Sequence, residues 1–294
     1  MMNGAATTLL RNVALAAGAA LVAALILFTG QARAEKPRRI ASINLCTDQI
    51  AMLLVPRERI VSLSFLAADP ASSAMATEAK GFHLNRGRVE EILPLSPDII
   101  LAGPYAARAA VGLLRRLGHR VFELPIGESL ADVARHIRAV AHVLGEEHRG
   151  EAVLSDFEAR LRAIPAPPPG SRPVAALYAP NGITSGAKSL PQSVMDAAGF
   201  DNLAAHRGIA GVGRLGIEDI VAARPDALIL ARLSVEHPSL AARSLEHPAL
   251  EAAVPKGAVI AVPHHIWACA IPQIVTGVEA LANLRGRLAA GGAQ

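Results

Sequence analysis

Aromatic residues make up only 3% of this 294-residue chain, with one Trp, two Tyr and six Phe. No Lys/Arg-rich tract is interleaved with them, so nucleic acid is not implied as a partner. Cysteine is scarcer still: Cys46 and Cys269 are far apart, with neither a Cys-x-x-Cys spacing nor the histidine pattern of a structural zinc site. In an exported protein the two can pair, stay free or meet a soft ligand. There is no Gly-rich phosphate loop, no nucleophile elbow and no cluster with metal-ligand spacing, so no bare-metal site is expected. Charge of one sign is also lacking. Of the 29 basic residues only Arg11 and Arg33 precede residue 35, which leaves 27 against 25 acidic ones and makes the basic pI uninformative.

The first 34 residues read as a secretory signal segment. Arg11 is the only charge before Arg33, residues 13–28 are continuously apolar, and Ala32-Arg33-Ala34 is a small-x-small cleavage signature. Cleavage near Ala34 is expected, with an uncleaved membrane anchor as the competing reading. No lipid-anchoring cysteine follows directly, so a soluble periplasmic protein is expected. The remaining length has room for two compact units, each with its own core.

The chain is organised around residues 146–164. Val153, Leu154, Phe157, Leu161 and Ile164 recur at three- and four-residue steps, Glu146 and Glu147 stand at the dipole-favoured start, and Pro165, Pro167, Pro168 and Pro169 close the segment. Such a helix spans roughly 28 Å at 1.5 Å per residue, a strut between two lobes. The segments on either side are alike. Val89-Glu90-Glu91-Ile92-Leu93, a Pro97-Asp98 turn and the apolar run Ile99-Ile100-Leu101-Ala102 recur as Ile217-Glu218-Asp219-Ile220-Val221, Pro225-Asp226 and Ala227-Leu228-Ile229-Leu230. This is a diverged duplication, one copy per lobe.

Buried strands are expected at residues 40–45, 60–64, 99–103, 120–124, 173–178, 227–231 and 259–262, alternating with helices at 49–54, 106–117, 130–144, 189–198 and 272–288. Thr47 or Asp48 is expected to cap the first helix and Ser129 the third; residues 67–88 read as loop with broken helix. The expected fold class is α/β: two similar lobes, each a mostly parallel sheet wrapped by helices, joined by one long helix. The division is 1–34 signal segment, 35–128 N-terminal lobe, 129–172 helices with the strut and Pro-rich linker, and 173–294 C-terminal lobe. The Glu-His-Pro-x-Leu elements at 236–240 and 246–250 read as two short capped turns without chemistry.

Ligands in open α/β sheets sit outside the carboxyl ends of the strands. The residues after the expected strands are Cys46, Thr47, Phe65 and Tyr105 in the first lobe and Tyr178, Arg232, His264, His265 and Trp267 in the second. Each aromatic alone is read more readily as lobe packing than as a ligand contact, but four at strand ends in so aromatic-poor a chain nominate a cleft. Arg232 is either a solvated charge or a fork for carboxylate or phosphate. His264 and His265 point to opposite sides of an extended segment, which favours a lone-His role over a chelate. Both cysteines follow cleft-facing strands, so a bond between them would lock the cleft. Ser185 and Lys188 fit Ser-x-x-Lys, yet no Ser-Asp-Asn or Lys-Thr-Gly partner accompanies them; a secreted Ser/Lys hydrolase is the alternative reading.

The duplicated units, the Ala41-Ser42-Ile43 start, the Leu144-Gly145-Glu146-Glu147 junction and the segment 182–203 resemble the periplasmic substrate-binding proteins of cobalamin and ferric-siderophore ABC importers, over residues 36–288. The resemblance implies a monomer that performs no bond-breaking step, holds a metal chelate between its lobes and delivers it to an inner-membrane permease with a cytoplasmic ATPase. It also implies that Glu90 and Glu218 meet permease arginines; the bland alternative is two exposed helix-start acids favoured by the dipole. Haem-binding members usually present an iron-ligating tyrosine before the first unit, and residues 65–88 contain none, which disfavours haem. Phe65, Tyr105 and Trp267 would suit the apolar face of a corrinoid, and Arg232 with Tyr105 an anionic ferric chelate. The ferric chelate ranks slightly ahead.

Overall fold

Short apolar runs closed by turn residues become the strands of two parallel sheets in the computed structural model, which describes residues 35–104, 106, 108–167, 170, 172–232 and 241–291. The signal segment, Tyr105, the side chain of Arg232 and the first Glu-His-Pro-x-Leu element lie outside the described residues. The first lobe runs β1 (Ile40–Ser42), α1 (Leu45–Leu54), β2 (Ile60–Ser64), β3 (Leu84–Asn85), α2 (Val89–Ile92), β4 (Ile99–Ala102), α3 (Arg108–Arg116) and β5 (Val121–Glu123). Its strands are parallel in the order β3-β2-β1-β4-β5.

Two helices follow, α4 (Ala131–Leu144) and α5 (Glu147–Ala163). Gly145, at φ 70°, ends α4 in the left-handed conformation and returns its N–H to the carbonyls of Ala141 and His142. The strut is α5. Leu154 and Phe157 are its buried apolar residues, with Val153, Leu161 and Ile164 packed alongside. It lies against α4 and α1 and against the last helix.

The second lobe runs β6 (Val174–Tyr178), β7 (Ile183–Ser185), α6 (Leu190–Ala198), β8 (Asp201–Asn202), α7 (Leu203–His206), β9 (Val212–Arg214), α8 (Ile217–Ala223), β10 (Ala227–Arg232), α9 (Pro248–Ala252), β11 (Val259–Pro263) and α10 (Val275–Gly291). Its main sheet is parallel in the order β11-β10-β6-β8. A separate antiparallel pair, β7 with β9, was not foreseen from the sequence.

Alternation along the strands builds the cores. Ile40, Leu63, Ile99 and Leu101 share one core with Ala175, Leu177, Ala227 and Ile229, so a single apolar cluster passes from lobe to lobe through α4, α5 and α10. The intervening residues face outward cores, Ala41 and Ile100 in the first lobe and Ala176, Tyr178 and Leu228 in the second. Two such lobes, each a parallel sheet wrapped by helices and linked by α5, are the expected fold.

The duplicated units fold alike. Asp98 Oδ2 accepts the backbone N–H groups of Arg38 and Arg39 at 2.7 and 2.9 Å, and Asp226 Oδ2 accepts that of Val174 at 2.7 Å. Each Pro-Asp turn thus ties its own strand to the first strand of its lobe. Three local expectations are corrected. Asn44, not Thr47 or Asp48, caps α1, with Oδ1 accepting from the N–H groups of Cys46 and Thr47, so the helix starts at Leu45. Asp132, not Ser129, holds the start of α4: its Oδ2 accepts from the N–H groups of Glu128 and Ser129 and from the Ser129 hydroxyl. Residues 67–88 contain β3, an edge strand beside β2.

Candidate functional site

In a sheet whose strand order reverses, the crevice beyond the strand ends at the reversal point is open to a ligand. The two lobes treat this crevice differently. In the first, the reversal lies between β1 and β4, and the Asn44 side chain fills it: a Cβ on Gly103 would stand 2.5 Å from Asn44 Nδ2. In the second, the reversal lies between β6 and β10, and a cavity of about 600 Å³ opens there. Leu177 and Ala179 from the end of β6, Ala231 from β10, His264 directly after β11, and Trp267 line it. Ile183 and Val212, brought in by the β7–β9 pair, and Ile126 from the first lobe line it while remaining exposed. Apolar residues that cost free energy in water are therefore gathered at one mouth.

The polar groups at the cavity are few. Glu128 and Lys188 line it with exposed side chains that make no hydrogen bond or ion pair among the described residues. Lys188 holds a left-handed backbone (φ 57°), as does Asn181 (φ 61°), another lining residue. A lysine gains nothing locally from that conformation, so the surrounding fold imposes it. Burial, with His265 beside it, holds the His264 pKa below the ordinary imidazole value, which keeps the ring neutral at pH 7. Ser185 lines the same cavity as Lys188, and no hydrogen bond joins their side chains.

The first lobe presents Phe65, 43% exposed, with the Arg86 guanidinium 5.0 Å from its ring centre. Beneath this edge the polar groups are turned inward. Thr47 is fully buried, its hydroxyl 2.8 Å from that of Ser42 and 3.0 Å from the Asn44 carbonyl. Asp48, also fully buried, accepts from the Ser64 N–H at 3.1 Å and from the Ser64 hydroxyl, and burial pushes its pKa up to about 7.

The lobes meet beside the cavity. Cys46, in the first turn of α1, is bonded to Cys269, which lies beyond β11. Gly127 lies against the next residue: a Cβ there would stand 2.4 Å from Ala270 Cβ and 2.9 Å from His136 Cε1. The Leu130 N–H donates to the Ser193 hydroxyl at 3.0 Å, a further tie from the start of α4 to α6.

Away from the cavity, α2 and α8 repeat one arrangement. Glu91 accepts the backbone N–H groups of Arg86 and Arg88, and Asp219 accepts that of Gly216, each reaching back over its helix start. The Arg86 N–H, chiefly, holds the Glu91 carboxyl below its ordinary range. Glu90 and Glu218, one residue earlier, remain exposed and accept no hydrogen bond among the described residues.

Of the residues nominated from the sequence, His264 and Trp267 line the cavity and Phe65 stands exposed on the first lobe. Three are placed otherwise. Cys46 is consumed by the disulfide, which resolves its open alternatives. Thr47 is turned inward because the earlier helix start rotates it onto Ser42. Tyr178 packs in the outer core of the second lobe, because strand alternation gives Leu177, not Tyr178, to the cavity face. Ile126, Glu128, Ile183, Lys188 and Val212 were not nominated as ligand contacts; Ile183 and Val212 come from a two-stranded pair and Ile126, Glu128 and Lys188 from connecting segments, and neither leaves a periodicity that would have flagged them.

Comparison with known proteins agrees with this geometry. The pattern of the periplasmic binding protein family matches residues 40–264. The cobalamin-binding protein of Halobacterium salinarum is 25% identical over 257 residues, covering 85% of this chain and 69% of that protein. The periplasmic heme-binding protein RhuT from Roseiflexus sp. RS-1, in apo form, superposes with a TM-score of 0.71 at 24% identity, over 86% of this chain and 99% of that one. The periplasmic vitamin B12-binding protein BtuF of Vibrio cholerae superposes with a TM-score of 0.61 at 18% identity, over 86% and 98%.

Proposed function

Because the chain belongs to the periplasmic binding protein family, we propose that it captures a metal chelate between its two lobes and hands it to an inner-membrane ABC importer. The observation that carries this reading is the cavity of about 600 Å³, a volume in the middle of the usual range for small-ligand sites, with an exposed apolar mouth. A broad apolar ligand face would cover Ile126, Ile183, Val212 and Trp267, while Glu128, Lys188 and His264 set its orientation. The family and the cobalamin-binding relative support a chelate as the cargo.

In this reading Phe65 closes over the chelate from the first lobe; Tyr105 and the side chain of Arg232, the other nominated contacts, lie outside the described residues. The lobes divide at residues 35–128 and 173–294, with 129–172 between them, a division that the strands among the described residues, at 40–123 and 174–263, support. Export through the first 34 residues places the protein in the periplasm. Among the described residues, no helix is long and apolar enough to cross a membrane. Glu90 and Glu218, equivalent carboxylates on the two lobes, serve as the two-point dock for permease cations.

The test is retention. Protein incubated with a corrinoid, a ferric porphyrin or a ferric trihydroxamate and freed of excess ligand by gel filtration should carry one metal per chain with at least one of them; metal-free protein in every case would defeat the proposal. The second reading, a Ser/Lys hydrolase, is favoured only by Ser185 and Lys188 sharing the cavity wall. Turnover of an acyl ester that Ser185→Ala abolishes would establish it.

A further inference from the structure

The duplication places more than glutamates in matching positions. Among the described residues nine large apolar side chains are exposed, and four of them fall inside the two units as equivalent pairs. Leu84 matches Val212 and Leu93 matches Val221, each pair 128 positions apart, as Glu90 and Glu218 are. Arg86 and Arg214, exposed in the same register, make a further pair. Other positions have diverged: Arg88 answers to Gly216 and Asn85 to Gly213. Each lobe thus turns the same series to solvent: apolar, cation, carboxylate, apolar. Core packing explains why Ile92 matches Ile220, both fully buried, but not why matched residues leave apolar and charged groups in water.

Both series begin at the cavity mouth. Val212 lines it, and the Arg214 guanidinium donates to the carbonyl of Asn181, another lining residue, at 3.1 Å. On the first lobe the Arg86 guanidinium stands over the exposed ring of Phe65. Neither arginine makes an ion pair among the described residues, and a guanidinium carries five N–H donors, so both can take a carboxylate.

On the reading that the chain delivers its cargo to an importer, we infer that the importer meets the two series as wholes: its carboxylates face Arg86 and Arg214, its apolar side chains face Leu84, Leu93, Val212 and Val221, and once docked it covers the mouth.

Charge complementarity decides the chemistry of this partner. A guanidinium takes a carboxylate in a bidentate grip, and arginine is enriched where proteins meet. A purely cationic partner surface would satisfy Glu90 and Glu218 but be repelled by the arginines four residues before them. The partner must therefore alternate in sign, twice over. Seated on both series it lies over the mouth where they begin, so it is the body that receives the cargo; a second copy of this chain in that place would shut the cargo in.

The experiment uses the full exported chain, loaded with whichever of a labelled corrinoid, ferric porphyrin or ferric trihydroxamate it retains, and added to spheroplasts of the parent cells that lack their own copy. The concentration of loaded protein that half-saturates uptake measures docking apart from cargo affinity. Arg86→Glu with Arg214→Glu should raise that concentration at least about tenfold, since like charges set face to face are strongly disfavoured. Leu93→Asp with Val221→Asp, on residues that do not line the cavity, should do the same while cargo retention and thermal midpoint stay at wild-type values. Arg116→Glu with Arg287→Glu, an equal charge change at exposed sites outside the units, should leave half-saturation where it was. The inference is overturned if either the arginine pair or the apolar pair leaves half-saturation unchanged; a rise with Glu90→Lys and Glu218→Lys in that case leaves delivery standing on the glutamates alone. An equal rise from the Arg116 and Arg287 control would also overturn it, as would a dimer of the purified wild type that either altered pair dissolves, which gives the series to a second copy. A wild type that retains no chelate, or delivers none, would remove the proposed function and the inference together.

Discussion

Cys46 and Cys269 are separated by 223 residues, yet their Cα atoms stand 5.4 Å apart and their sulfurs are bonded. The bond joins the first turn of the first lobe's opening helix to the segment that follows the second lobe's last strand, beside the cavity wall at Ala268. It therefore closes residues 46–269 into one loop, and it ties the lobes where the cleft opens.

Chain-entropy reasoning gives a loop of that length roughly 5 kcal/mol of stabilisation, with about 2–4 kcal/mol more typical of measured cases. Replacing both cysteines by serine should lower the thermal midpoint by roughly 5–15 °C at about 2–4 °C per kcal/mol for a domain of this size. Reductant should reproduce the loss in the wild type and do nothing to the variant. A midpoint unchanged in both cases would refute a stabilising bridge.

Asp48 predicts a pH dependence of definite sign. Folded, it keeps its proton up to about pH 7; unfolded, it releases it near the ordinary carboxylate value. The native state therefore binds more protons in between, and this group's contribution to stability falls as pH rises from about 4 to about 7, then levels off. The full effect is on the order of a few kcal/mol at about 1.4 kcal/mol per pKa unit. Urea midpoints measured across that window for wild type and Asp48→Asn should differ in slope, the variant being flatter; parallel curves would mean that Asp48 ionises freely in the fold.

Gly127 sits where any side chain must enter the seam, since its Cβ would overlap Ala270 Cβ at 2.4 Å. Gly127→Ala should cost about 1–3 kcal/mol, as overpacking of a well-filled site does, and weaken ligand binding by shifting Ile126 and Glu128. Unaltered stability and affinity would mean that the lobes separate freely at this point.

Charge reversal tests the dock. Glu90→Lys with Glu218→Lys should leave chelate affinity and stability within experimental error, because neither side chain accepts a hydrogen bond among the described residues, while uptake through the importer falls. Normal uptake by the double variant would leave the two glutamates as helix-start acids and nothing more.

Much of this was legible before any coordinates. Pro97-Asp98 and Pro225-Asp226 announced the duplication because the same turn dipeptide stands at the same place in both units, and in each the aspartate accepts backbone N–H groups at the start of its lobe's first strand. The strut was legible because Leu154 and Phe157 keep helical spacing between a glycine and a run of prolines. The site was legible only in part. Residues directly after strands were found, as with His264, but which face a strand residue takes was not: strands buried on both sides carry apolar residues at every position, so Leu177 and Tyr178 look interchangeable. Thr47 was misplaced because Asn44, three residues earlier, outcompetes it as the cap. Ile183 and Val212 reach the cavity through β7 and β9, whose pairing is long-range and leaves no local signal.

The central claim is that a chelate enters the cavity, and the chain carries its own reporter. Trp267 is the sole tryptophan and lies in the cavity wall. Its fluorescence, titrated with a corrinoid, a ferric porphyrin and a ferric trihydroxamate and corrected for their absorbance, should be quenched saturably at one equivalent by the true cargo. Val212→Glu, which puts a charge at the mouth, should weaken that quenching. A folded protein whose Trp267 emission stays unchanged with every chelate would contradict the account.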